Sequence, residues 1–247
     1  MNRIKDYDRL AFDIDRWLKD YYYMHSIKAF VVGVSGGIDS AVVSTLCAKT
    51  ELPTYVLTMP LHSKEGNTKL SDAHAKALMK KYSNVRVVNI DLSNTYESLL
   101  FDIDQDFVNN KLANANTKSR LRMVTLYQVA GSVGGIVVGT GNKVEDYGVG
   151  FYTKYGDGGV DIAPIADLYK TEVRELGWHL GVMNEIIDAP PTDGLWDDGR
   201  NDEDQIGATY AELEEAMENG TGKAVDILYK FNTKNKHKME PIPTFKL

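Results

Sequence analysis

The stretch Phe30-Val31-Val32-Gly33-Val34-Ser35-Gly36-Gly37-Ile38-Asp39-Ser40, continued by Ala41-Val42-Val43-Ser44-Thr45-Leu46-Cys47-Ala48, decides the fold. Its first residues are a short β-branched run of the kind buried in a parallel sheet, and its last repeat apolar side chains at helical spacing. Strand, turn and helix follow one another directly. Gly36 and Gly37 let backbone amides come close to an anion, Ser35 and Ser40 add hydroxyls, and the positive end of the new helix faces the same spot. A single helix terminus contributes only about 0.3–1 kcal/mol toward an exposed anion, so the donors must act together. Asp39 is out of place in such a phosphate cradle unless a divalent cation lies between carboxylate and phosphate, which makes it a candidate magnesium ligand. The loop is not a Walker A sequence, which would need Lys before its final Ser or Thr. The competing reading is a glycine-tightened turn in which Asp39 only caps the helix.

Working outward, Ile4, Tyr7, Leu10, Ala11, Ile14, Trp17, Leu18 and Tyr21 recur at helical spacing and predict a leading amphipathic helix. After the cradle, Thr54–Met59 reads as a strand halted by Pro60, Leu70–Tyr82 as a helix and Val85–Ile90 as a strand. Cap residues at Asp91–Asn94 open a mostly helical region that runs to a fourth strand at Gly135–Gly139. Such alternation, with right-handed crossovers, predicts an α/β fold: a doubly wound parallel sheet flanked by helices, with ligands at the carboxyl ends of its strands. Residues 148–159 and 189–204 are rich in Gly, Pro, Asp and aromatics and are expected to be mobile loops over the site. Helices are expected at Asp204–Met217 and Gly222–Asn232, and Lys234–Leu247 reads as a basic tail. With no internal repeat, residues 1–247 are expected to form a single domain.

Lys and Arg number 28 against 35 Asp and Glu, a net charge of −7, which argues against a nucleic-acid partner. Salt screens over ~8 Å, so local cations can still hold an anionic substrate. Cys47 is the only cysteine, which excludes an intrachain disulfide and a cysteine metal cluster. Its place on an apolar helix predicts an inert, protonated thiol. The N-terminus lacks an apolar signal core and no apolar run reaches the ~20 residues of a membrane span, so a cytoplasmic protein without membrane contact is expected.

The cradle Ser35-Gly36-Gly37-Ile38-Asp39-Ser40 resembles the signature of ATP pyrophosphatases, whose fold is adenine nucleotide alpha hydrolase-like. Further motifs narrow the resemblance: Asn116–Met123, Gly139-Thr140-Gly141-Asn142-Lys143-Val144-Glu145, Tyr152–Asp161, Pro190-Pro191-Thr192 and His237-Lys238-Met239. In this order they are similar to those of ammonia-dependent NAD synthetases. The resemblance implies ATP-dependent amidation of deamido-NAD by free ammonia, through an adenylated nicotinate, with release of pyrophosphate and AMP. By motif position it implies ATP binding by Gly33, Val34, Ser35, Gly36, Gly37, Ile38, Asp39, Ser40, Thr140, Lys170 and Thr192, with Asp39 and Lys170 catalytic. It implies Mg2+ on Asp39 and Glu145, and deamido-NAD contacts from Arg120, Lys154, Asp161, His237 and Lys238. A homodimer is also implied. Leu112 stands where some members place an aromatic near the nicotinate, and two further departures stand out. Glu145 and Lys154 are one residue further apart than in many members, and Leu61-His62-Ser63-Lys64 lacks an expected Arg and Gln. The competing functions are adenylation of another acceptor and adenine-nucleotide sensing.

Overall fold

The computed structural model describes residues 3–62, 65–191 and 201–246. Helix α1 (Tyr7–Met24) starts where the Asp6 carboxylate accepts a hydrogen bond from the Arg9 amide, and it buries Tyr7, Ala11, Ile14 and Leu18. Strand β1 (Phe30–Gly33) leads through the cradle into α2 (Ile38–Lys49), then β2 (Thr54–Thr58), α3 (Glu65–Lys81) and β3 (Val85–Asn89). Two helices follow, α4 (Ser93–Asp102) and α5 (Lys111–Val133), before β4 (Ile136–Val137). The expected fourth strand is shortened to two residues; Val138 still donates its amide to Val31 O and adds an isolated parallel bridge to Ile162.

All strands run parallel in the order β3-β2-β1-β4. The chain therefore moves outward from β1 to β3 and then returns, through α5, to the other side of β1. The point where that direction reverses lies between the carboxyl ends of β1 and β4, where open α/β sheets open a crevice for ligands. The cradle follows β1, and Thr140 follows β4.

Helix α2 has almost no polar face because it is covered on every side. Ile38, Val42, Val43 and Leu46 pack with Leu18 of α1, Phe30 of β1, and Val173 and Leu176 of α6 (Lys170–Leu180). Burying each such side chain stabilises the fold by roughly 1.5–3 kcal/mol. The opposite face of the sheet is closed by α4 and α5 against Val31, Leu57 and Val137. Beyond α6 come α7 (Asn184–Ile187), α8 (Asp202–Ile206), α9 (Tyr210–Asn219) and α10 (Val225–Met239). A separate apolar cluster joins α8 to α10 with Val144 and Val149, around Leu213 and Tyr210.

Three expectations are corrected. Residues 144–149 form a π-helical turn, and from Gly150 to Gly159 successive turns are closed by backbone hydrogen bonds such as Gly156 N to Thr153 O and Gly159 N to Gly156 O. The loop expected at 148–159 therefore begins at Gly150, its first two residues belonging to the π-helical turn. The region read as a basic tail is helical through Met239, because Asn232, Asn235 and Lys238 hand their donors to carbonyls of residues 147–152. The helix expected from Asp204 is two, broken at Gly207. Residues 192–200, and with them the ATP-binding candidate Thr192, lie outside the described residues.

Candidate active site

The cradle is knitted by its own hydroxyls. The Ser35 amide donates to Ser40 Oγ at 3.2 Å, Ser40 Oγ donates to Gly37 O at 2.9 Å, and the Gly37 amide donates to Ser35 Oγ at 3.2 Å. Gly36 stands at φ 94°, which an L side chain rarely adopts, so the turn needs glycine there. Gly37 caps α2 without any side-chain hydrogen bond to the first turn, which leaves the leading amides of that helix for an anion.

Beside the cradle lies a buried charge cluster. Lys170, the first residue of α6, places its ammonium 2.5 Å from Asp39 Oδ2 and 2.9 Å from Glu145 Oε1. Asn142 holds both carboxylate bearers: its Nδ2 donates to Asp39 Oδ1 at 3.2 Å, and its Oδ1 accepts from the Val144 and Glu145 amides at 3.1 Å. Tyr210 Oη donates to Glu145 Oε1 at 2.7 Å. Burial pushes the Asp39 carboxyl up against the pull of Lys170. Burial acts the same way on Glu145, but Lys170 and the Tyr210 hydrogen bond outweigh it and hold Glu145 below the usual range. Lys170, despite its burial, stays charged because two carboxylates face it.

These groups wall a cavity of about 270 Å³. Every cradle residue except Gly36 lines it, with Thr140, Glu145 and Lys170. Asp146 also lines it, lying so close over Gly141 that a Cβ there would meet Asp146 Oδ2 at 2.2 Å. Burial, helped by Glu145, Asp157 and Asp39, pushes the Asp146 carboxyl up to about 8. Asp157 is set by α5: Ser119 Oγ donates to its Oδ1 at 2.7 Å, and the Thr153 amide does so at 3.0 Å. Among the described residues no group of three or more His, Cys, Asp or Glu is set to hold a metal ion. Asp39 and Glu145 nevertheless already share one cation, the Lys170 ammonium, which is the donor set a magnesium ion with phosphate and water ligands accepts.

The five positions implied for deamido-NAD do not line this cavity. Arg120 donates to Lys154 O at 3.3 Å, Lys154 Nζ donates to His237 O at 2.8 Å, and Lys238 Nζ donates to the carbonyls of Gly150 and Tyr152. They form a rim held together by backbone acceptors. Asp161 stands apart, accepting from the Tyr127 hydroxyl at 3.0 Å and the Val137 amide at 2.7 Å.

Several residues of the site escape sequence reading. Asn142, Asp146, Asp157, Ser119, Tyr210 and Arg174 sit in motifs or helices whose contacts cross the chain. For Arg174 a signal existed: Val173, Leu176 and Leu180 recur at helical spacing before Gly181.

Comparison with known proteins adds the family. The model of the NAD synthase family matches residues 10–242. The chain belongs to that family. The NH(3)-dependent NAD(+) synthetase of Finegoldia magna is 36% identical over 97% of this chain and 97% of its own length. The solved structure of an NMN synthetase from Francisella tularensis superposes with a TM-score of 0.89 at 32% identity, covering 99% of this chain and all of that one. An NH3-dependent NAD synthetase from Campylobacter jejuni covers 98% of this chain with a TM-score of 0.77, and at 23% identity it supports the family's fold.

Proposed function

We propose that this member of the NAD synthase family amidates deamido-NAD to NAD with ATP and free ammonia, working as one domain on the cavity described above. The observation that carries the reading is the Asp39–Lys170–Glu145 cluster, set at the sheet's crevice beside an uncapped helix terminus. In the first step the nicotinate carboxylate oxygen attacks the α-phosphorus and the bond to the bridging oxygen breaks, so pyrophosphate leaves with the electron pair. Cradle amides, the hydroxyls of Ser35 and Ser40, and the Lys170 ammonium neutralise the charge that grows on the leaving group. In the second step ammonia attacks the acyl carbon, AMP leaves, and a proton passes to the medium. No side chain needs to act as nucleophile; the chain contributes positioning and charge. Asp39 and Glu145 would hold Mg2+, which would supply positive charge to offset that of the phosphates.

The rim of Arg120, Lys154, His237 and Lys238, with Asp161, is read as the place of the substrate's remote half, completed in a homodimer. Support for the dimer comes from exposed apolar side chains along α4, α5 and their connection: Phe101, Phe107, Leu112 and Val124 are 57–85% exposed. Among the described residues no helix is long and apolar enough to cross a membrane. A cytoplasmic place fits that and the single reduced Cys47.

A second reading is favoured by the 0.89 TM-score to an NMN synthetase: the acceptor is the mononucleotide form of nicotinate. The same chemistry serves both, because the reacting carboxylate is the same. The test is to incubate protein, ATP, Mg2+ and ammonium with each acceptor. The proposal expects AMP, pyrophosphate and NAD in equal amounts from deamido-NAD. A kcat/KM at least tenfold higher for the mononucleotide would replace it with the second reading, and no pyrophosphate with either acceptor would refute both.

A further inference from the structure

One turn along α6 from Lys170, on the same side of the helix, Arg174 also lines the cavity. The two cations are differently placed. Lys170 is held between Asp39 and Glu145, whereas the Arg174 guanidinium has no ion pair among the described residues, and its Nε is buried without a hydrogen-bond partner. A buried donor of a charged group left unpaired is costly, and such a group in a cavity wall is satisfied by what enters the cavity. The cavity also presents Ser35, Gly37 and Ser40 of the cradle, and Pro190 and Pro191. An entering group that satisfies both the cradle amides and a guanidinium is an anion with several oxygens, and the planar fork of arginine matches a phosphate with two parallel hydrogen bonds.

We infer that Arg174 grips the β- and γ-phosphates of ATP and retains the pyrophosphate after the α–β bond has broken. The inference rests on the reading of this cavity as an ATP site. It makes Arg174 a substrate-binding residue distinct from Lys170: the lysine is held by the carboxylate pair as well as facing the leaving group, the arginine answers only to the polyphosphate. A merely structural arginine would affect all nucleotides alike. One that holds the outer phosphates discriminates between ATP or pyrophosphate, which carry them, and AMP, which does not.

The experiment is calorimetric titration of ATP, pyrophosphate and AMP into the full-length protein and its Arg174→Gln and Arg174→Lys variants, with thermal unfolding alongside. Arg174→Gln should weaken ATP and pyrophosphate at least tenfold and leave AMP within twofold. Arg174→Lys should recover part of the loss, since it keeps the charge but not the fork. Unchanged pyrophosphate affinity, or an equal loss for AMP, overturns the inference. If Arg174→Gln fails to fold, the lysine variant decides by the same ratio. Tight pyrophosphate binding by a wild-type protein that amidates neither nicotinate acceptor, lost in Arg174→Gln, would leave this inference standing while the acceptor assignment fell.

Discussion

The two sides of the site use their charges in opposite ways. On the cradle side, Asp39, Glu145 and Lys170 pair with one another through side chains inside the cavity, so each can trade its partner for a ligand. On the rim, Lys154 and Lys238 give their ammonium groups to main-chain carbonyls of His237, Gly150 and Tyr152. A carbonyl cannot leave with a ligand or change its charge. The difference teaches that a lysine at a motif position is a binding group only as far as its present partner is exchangeable, and that a rim lysine has a structural duty to set against any substrate contact.

The largest effect that can break this contrast is at the cradle. Asp39→Asn should lower the rate of pyrophosphate release about 10²–10³-fold with the fold retained, as should Glu145→Gln, because both remove charge where it is needed and keep volume. Near wild-type rates would remove the cradle side's claim to exchangeable charge. Lys238→Met sharpens the other half. It leaves two carbonyls unanswered and should cost about 1–3 kcal/mol of stability in urea unfolding, with a KM change secondary to it. An unaltered unfolding midpoint with a KM raised tenfold would make Lys238 a substrate residue first.

A smaller effect lies behind the cradle, where buried His74 shares a 2.9 Å hydrogen bond with Ser44 of α2. Burial pulls its imidazole down from 6.5 to about 4, so the folded protein keeps it neutral while the unfolded chain takes up a proton. Stability is therefore complete above pH 6.5 and declines as pH falls toward 4, by up to about 3 kcal/mol. Urea unfolding at pH 7.5 and pH 5 should show a loss of about 2 kcal/mol, and His74→Gln should flatten that difference. The smallest effect is expected of Cys47→Ala. Burial keeps this thiol protonated, so ammonia-dependent synthesis should persist in the variant and glutamine free of ammonium should support none in either protein. Glutamine-driven synthesis lost with Cys47 would contradict it.

What could be read from the sequence was whatever is local. A β-branched run, a glycine turn and an apolar helix between Phe30 and Ala48 specify the central strand, the cradle and the sheet class, because each is fixed by neighbours along the chain. Asp39, Glu145 and Lys170 were legible as site residues by motif. The pairing of both carboxylates with Lys170 was not, since it joins a helix 25 residues beyond Glu145 and 131 beyond Asp39. The same holds for Tyr210 on Glu145 and for Ser119 on Asp157, whose pairings are made by packing. The extra residue between Glu145 and Lys154 was visible as a spacing. In the fold that stretch begins in the π-helical turn Val144–Val149.

The position of Lys170 has a consequence for how the site is assembled. Two carboxylates held one cation's width apart would repel and spread if nothing stood between them, and pulling them together would have to be repeated in every catalytic cycle. The ammonium keeps Asp39 and Glu145 at that spacing in advance. A divalent ion, if the pair holds one, would meet a seat already shaped for positive charge. The group that would have to yield there is a single flexible side chain, Lys170.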